Sequence, residues 1–162
     1  MRILILSNLI TMLNILAGYF SIIFSINHNY AIAAALLLIA VIFDFLDGKI
    51  ASFLKKENEF GKNLDSLSDV ISFGAAPVVF GLALINNLFA VTAFSIFLIC
   101  GIIRLAKFNT LKFRGYYYGM PITINGIIIP FIYFLKLPPE YYPYTYLILA
   151  VAMISNFRIK KL

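Results

Sequence analysis

Four of the seven acidic residues in this 162-residue chain, Asp44, Asp47, Asp65 and Asp69, stand against its longest apolar runs. Asp44 and Asp47 are spaced i,i+3 and Asp65 and Asp69 i,i+4, so on helices each pair projects from a single face. Two such helices facing each other bring four carboxylates into one volume. Like charges at the edge of an apolar medium repel and lose hydration, which costs several kcal/mol unless something cationic compensates. Of the lysines, only Lys49 and Lys62 are near enough in sequence to help. Oxygen-rich clusters suit Mg²⁺, Mn²⁺ or Ca²⁺, and carboxylates paired across helices can hold two such ions. The competing reading, a solvated helix start with acidic caps, fits Asp65 and Asp69 near a helix N-terminus. It does not fit Asp44 and Asp47, which interrupt an apolar run in "FDFLDG" near a C-terminus, where the helix dipole disfavours anions.

Gly48 follows Asp47 directly and Gly61 stands four residues before Asp65. A glycine inside a helix costs about 1 kcal/mol relative to alanine. Either both remove bulk where a ligand or the opposing helix approaches the metals, or they serve ordinary small-residue packing between membrane helices. The flanking aspartates favour the first reading.

The elements that must hold these residues follow from composition. The chain is 62% hydrophobic and 12% charged, too apolar for a domain with a polar surface in water. A hydrocarbon core of about 30 Å requires roughly 20 apolar helical residues. Ile3 to Phe43 carries no charge and is divided by the polar "NHNY", Asn27 to Tyr30. Val70 to Ile103 is also charge-free and is divided at Asn86 and Asn87; Tyr116 to Leu135 and Tyr141 to Phe157 follow. The expected architecture is therefore an all-α membrane protein, a bundle of six transmembrane helices forming a single domain over residues 1–162. The first apolar run lacks a small-residue cleavage site, so it is read as a retained span rather than a signal peptide.

Basic residues set the expected orientation. Lys55, Lys56 and Lys62 follow the second span, Lys107, Lys112 and Arg114 the fourth, and Arg158, Lys160 and Lys161 the sixth. The alternate connections are nearly uncharged, which puts both termini and the aspartates on the cytoplasmic face of a multi-pass protein of the cytoplasmic or inner membrane. The net charge of +6 then suits anionic headgroups or a phosphorylated substrate, and the lack of a soluble domain argues against nucleic acid. Cys100, inside an apolar run, reads as a small packing residue, and His28 lies in an outer loop far from the aspartates.

The run Asp44-x-x-Asp47-Gly48-x-x-Ala51 followed by Gly61-x-x-x-Asp65-x-x-x-Asp69 resembles the signature of the CDP-alcohol phosphotransferases, six-helix membrane enzymes. One position departs from it: the family usually has arginine after the alanine, and this chain has Ser52, for which Lys49 or Lys55 can substitute. The resemblance implies two divalent cations, Mg²⁺ or Mn²⁺, on Asp44, Asp47, Asp65 and Asp69, with Asp69 also the general base for the acceptor hydroxyl. It further implies that Asp44, Gly48, Ala51, Ser52 and Gly61 line the CDP-lipid site, and that two copies pair as a homodimer.

"GIIRLAKFNT" (Gly101 to Thr110), "GMP" (Gly119 to Pro121), "TMLNILAGYFSI" (Thr11 to Ile22) and "DSLSDVISFGAAP" (Asp65 to Pro77) resemble the phosphatidylserine synthase branch of that family. This implies transfer of the phosphatidyl group of CDP-diacylglycerol or CDP-archaeol to the hydroxyl of L-serine, with release of CMP. Serine needs a counterion for its carboxylate, and Arg104 can pair with it in bidentate fashion; Lys107 and Asn109 lie on the same helix end. The same bases would serve glycerol 3-phosphate or inositol phosphate, and Arg104 can instead pair with an aspartate. Asn8, Thr11 and Asn14 recur along one face of the first span. Asn8 and Thr11 are candidates to meet the nucleotide or diphosphate, with polar gluing of helices as the alternative. The non-enzymatic alternative is a cation transporter, since intramembrane carboxylates also mark ion pathways.

Overall fold

A computed structural model of the chain describes residues 2–54, 59–110, 116–155 and 158–160, with side chains at 7–50, 59–110 and 119–155. Lys55, Lys56, Lys112, Arg114 and Lys161 lie outside the described residues, as do the side chains of Ala51, Ser52, Arg158 and Lys160. Helices α1 (Arg2–Ile26) and α2 (Tyr30–Leu54) form a hairpin. The turn between them closes as a Schellman motif: the Asn29 N–H donates to the Phe24 carbonyl at 2.8 Å and the His28 N–H to Ser25 at 3.1 Å. His28 takes the left-handed conformation this requires, φ 59°. Lys136 repeats the device at φ 56° after the sixth helical segment.

The third span is a single run, Glu59–Leu84, made of α3 (Glu59–Asp69), a π-helical turn (Val70–Ala75) and α4 (Ala76–Leu84). It begins at Glu59, ahead of the charge-free run that opens at Val70, so Asp65 and Asp69 lie within its N-terminal part. The π turn runs into Pro77: the Ala76 N–H reaches back five residues to Ile71, and the next residue has no N–H to offer. A proline in a regular helix would clash with the carbonyl four residues earlier, and the wider turn absorbs that conflict. Helix α5 (Leu88–Thr110) is capped by Asn87, whose Oδ1 accepts from the Ala90 N–H at 2.8 Å.

The last two segments are shorter than the sequence suggested. Tyr116–Tyr118 is not helical but a strand, β1, paired antiparallel with β2 (Arg158–Lys160). Gly119 at φ 74° turns the chain, and Pro121 keeps Met120 out of the helical region, so helix starts only at the 3₁₀ turn Ile122–Ile124 and continues as α6 (Asn125–Phe134). A 3₁₀ turn at Pro139–Tyr141 leads into α7 (Tyr142–Ile154), whose 13 residues fall short of the expected Tyr141 to Phe157. Among the described residues four helical runs are long and apolar enough to cross a membrane. With Leu9, Ile42, Phe45, Ile99, Ile148 and Val151 all exposed, the bundle presents the apolar surface that lipid covers, and the protein is an integral membrane protein.

The end of the bundle away from the aspartates is packed with rings. Phe80, Phe94, Phe97, Tyr142 and Tyr146 are fully buried, the Tyr146 ring lies 4.4 Å from Phe94 and 4.8 Å from Phe97, and its hydroxyl donates to the Pro77 carbonyl. This core locks α4, α5 and α7 together and leaves the other end to be organised by polar contacts.

Candidate active site

The apolar run of α2 ends at Asp44 and Asp47 and the polar first half of α3 carries Asp65 and Asp69, so antiparallel packing around α1 brings the two pairs to one level. Asp44, Asp47 and Asp65 each offer an oxygen within 4.8 Å of the others. Oxygens on opposite sides of one cation would stand about 4.8 Å apart at the roughly 2.4 Å of Ca²⁺ and about 4.2 Å apart at the roughly 2.1 Å of Mg²⁺, so the three groups are at the outer limit of one ion's reach. Asp69 is in side-chain hydrogen-bond contact with Asp44, and its Oδ1 is buried without a hydrogen-bond partner. Carboxyls forced this close must share a proton or a cation. The donor set of Asp44, Asp47 and Asp65 is all hard oxygen, as Mg²⁺ and Mn²⁺ prefer, so these residues fit a divalent cation, and the orphaned Asp69 oxygen lies beside them.

Neither Lys49 nor Lys62, a poor answer already on sequence grounds, supplies the compensating positive charge. Lys49 is exposed over the Phe45 ring at 4.7 Å, and Lys62 Nζ donates to the Asn109 carbonyl at 3.3 Å. It comes from α5: Arg104 interacts electrostatically with Asp44 and Asp69 and stacks over Phe108 at 5.3 Å. Of the two readings of Arg104, this position is that of an aspartate partner. Lys107 is exposed. Asn109 instead links helices: its Nδ2 donates to Ser66 Oγ at 2.7 Å, beside Asp65, while its Oδ1 is buried without a hydrogen-bond partner.

Of the residues expected around the CDP-lipid, Gly48 faces open space, since a side chain there would meet nothing within 4 Å among the described residues. Close approach of the opposing helix is therefore not its purpose here. Gly61 leaves room for Asn8, whose Oδ1 would lie 3.3 Å from an added Cβ. Thr11 is 3% exposed, with its hydroxyl 2.7 Å from Asp47 Oδ2, and the Asn14 carbonyl accepts from Ser72 at 2.9 Å. The polar face of α1 thus works in part as glue between helices. Ser66, Ser68 and Ser72 were not singled out from the sequence. Their signal is the i,i+4 spacing of Ser68 and Ser72, which puts both on the α1 side of the third span, where both hydroxyls donate to α1 carbonyls.

The fold and this cluster define a helical integral membrane protein with a carboxylate site able to hold divalent cations. Residues 4–157 match the CDP-alcohol phosphatidyltransferase family model, and the chain belongs to that family, whose members generally depend on divalent metal. It is 40% identical over 133 residues to archaetidylserine synthase of Methanothermobacter thermautotrophicus, covering 79% of this chain and 57% of that one. The CDP-diacylglycerol–serine O-phosphatidyltransferase of Methanocaldococcus jannaschii is 36% identical over 131 residues, 79% of this chain and 60% of its own. That of Saccharomyces cerevisiae is 38% identical over 117 residues, 67% and 42% respectively. The chain spans under two thirds of the length of these relatives.

Proposed function

We propose that this protein transfers the phosphatidyl group of a CDP-linked lipid, CDP-diacylglycerol or CDP-archaeol, to the hydroxyl of L-serine, releasing CMP. The observation that carries the reading is the grouping of Asp44, Asp47 and Asp65 within one cation's reach, with Asp69 and Arg104 beside them. The relatives named for serine transfer support the choice of acceptor.

Asp44, Asp47, Asp65 and Asp69 would hold two divalent cations, Mg²⁺ or Mn²⁺. Ions held there would neutralise charge on the donor's diphosphate and on the departing CMP, the main requirement of phosphoryl transfer. The remaining steps belong to side chains. The serine oxygen attacks the lipid-side phosphorus, the bond from that phosphorus to the oxygen shared with the CMP phosphate breaks, and the serine hydroxyl proton passes to Asp69. Asp69 has an unpaired oxygen for it. Arg104 pairs with the serine carboxylate and so fixes which hydroxyl faces the phosphorus. Gly48 keeps open the space the diphosphate enters, with Gly61, Ala51, Ser52, Asn8 and Thr11 around it; Lys107 and Asn109 border the acceptor side.

In this reading residues 1–162 form one six-span bundle with both termini and the site facing the cytoplasm, as the distribution of lysine and arginine favours. A cytoplasmic site admits a water-soluble acceptor while the donor arrives through the bilayer. A cation pathway is less well served, because the ring-filled core closes the bundle beyond the aspartates.

The test is detergent-purified protein incubated with CDP-diacylglycerol or CDP-archaeol, Mn²⁺ and radiolabelled serine, beside Asp69→Asn and a chelated control. Lipid-soluble label with stoichiometric CMP is expected, and both should vanish in the controls. Metal-dependent CMP release only with glycerol 3-phosphate or inositol phosphate would move the acceptor, and none with any alcohol would end the enzyme reading. Sizing of the same sample checks the homodimer that the family resemblance implies.

A further inference from the structure

We infer that Thr11 is a positioning residue that aims the Asp47 carboxylate at the cation site, an inference that rests on the metal reading above. Its hydroxyl lies 2.7 Å from Asp47 Oδ2 and 3.1 Å from the Ser7 carbonyl one turn back on α1. One proton serves one acceptor at a time. An ionised carboxylate is the stronger and here the nearer acceptor, so the hydroxyl donates to Asp47. The alternative matters as well: Ser7 would satisfy the buried hydroxyl without any help from α2, so the bond to Asp47 is not forced by the need to pair a buried donor.

With Oδ2 held, rotation of the Asp47 carboxylate is blocked and its other oxygen is left for a cation. Partners of this kind fix the orientation of a metal ligand, and their loss typically weakens metal binding about 10- to 100-fold. The same residue reaches the other aspartate pair through its backbone, since the Thr11 carbonyl accepts from Ser68 Oγ at 3.4 Å, immediately before Asp69. Thr11 thereby bonds both to Asp47 and to the helix that carries Asp69. Asn14, one turn further on, carries its side-chain amide buried and without hydrogen-bond partners and makes no contact of this kind with an aspartate.

Mn²⁺ titration of the purified full chain, followed by loss of the free-ion electron paramagnetic resonance signal, tests this without reference to turnover. Thr11→Val keeps shape and removes the donor, and Thr11→Ala is a second donor-free variant should valine not fold. Either is expected to weaken Mn²⁺ binding about 10- to 100-fold, and Thr11→Ser, which restores the hydroxyl, should recover most of the loss. Wild-type affinity in Thr11→Val overturns the proposal, and so does a Thr11→Ser protein as weak as Thr11→Val, which would show that a hydroxyl at this position does not support the site. Asp65→Asn serves as reference: if it and wild type take up Mn²⁺ equally, the metal reading fails and takes this inference with it. If Asp65→Asn binds poorly while Thr11→Val binds normally, only the inference falls.

Discussion

Two glycines mark the difference between the ends of this bundle. At Gly81 an added Cβ would lie 2.9 Å from Phe94 Cζ and 3.1 Å from the Tyr146 hydroxyl, whereas at Gly48, beside the aspartates, it would meet nothing within 4 Å. One glycine is required by its neighbours, and the other borders space that no part of the described protein fills. The ring-filled end gains stability from burial and close packing. The carboxylate end does the reverse: it gathers like charges, leaves the buried Asp69 Oδ1 and Asn109 Oδ1 without partners, and keeps a gap open. Such departures from good packing are expected where a ligand completes the structure.

That contrast can be broken most directly at Asp69. Asp69→Asn is expected to lower the rate of metal-dependent CMP release about 10²- to 10⁴-fold. Thermal unfolding in chelator should be unchanged or shifted upward, because one member of a mutually repelling set is gone. A large drop in melting temperature would mean that Asp69 holds the fold together and that the two ends are not separable. Gly81→Ala should do the opposite, destabilising by about 1–3 kcal/mol through overpacking against Phe94 and Tyr146 while activity per folded molecule is retained. The finest test is Gly48→Ala. Helix propensity alone predicts equal or slightly greater stability, by up to about 1 kcal/mol, so a raised KM for the CDP-lipid would identify the open space as substrate space. An unchanged KM and kcat would show that the space beside Gly48 is not used.

The parts of this molecule that were legible in sequence are those governed by single strong effects. Exclusion of charge from the hydrocarbon core made the turn between the first two helices readable almost to the residue, and the cost of gathered carboxylates singled out Asp44, Asp47, Asp65 and Asp69. The parts that were not legible depend on competing local rules or on contacts between distant elements. Glu59 to Asp69 is too polar to be read as part of a span, yet it continues the helix because its polar face packs on α1. Tyr116 to Tyr118 is uncharged and runs on into an apolar stretch, yet Gly119 and Pro121 cut it off and pairing with Arg158–Lys160 takes it. Lys62 is close to Asp65 in sequence and turns toward Asn109 instead, because a carbonyl at the end of α5 is within its reach. Nothing in the local sequence of Thr11 announces a partner 36 positions away.

The π turn at Val70–Ala75 also sets how this helix may be edited. A π turn holds one residue more than a regular helix of the same phase, so every side chain beyond it is rotated by about 100° from where an unbroken α-helix would carry it. The direction in which Asp65 and Asp69 point is therefore tied to the ring-filled core by a residue count, as a tooth count ties two gears. Removing one residue between Asp69 and Pro77 would let the turn close as regular α-helix with both flanks in phase, whereas adding one would leave composition and hydropathy almost unaltered yet turn the aspartates away from their partners or pull Phe80 out of the core. The stretch thus has one residue to lose and none to gain.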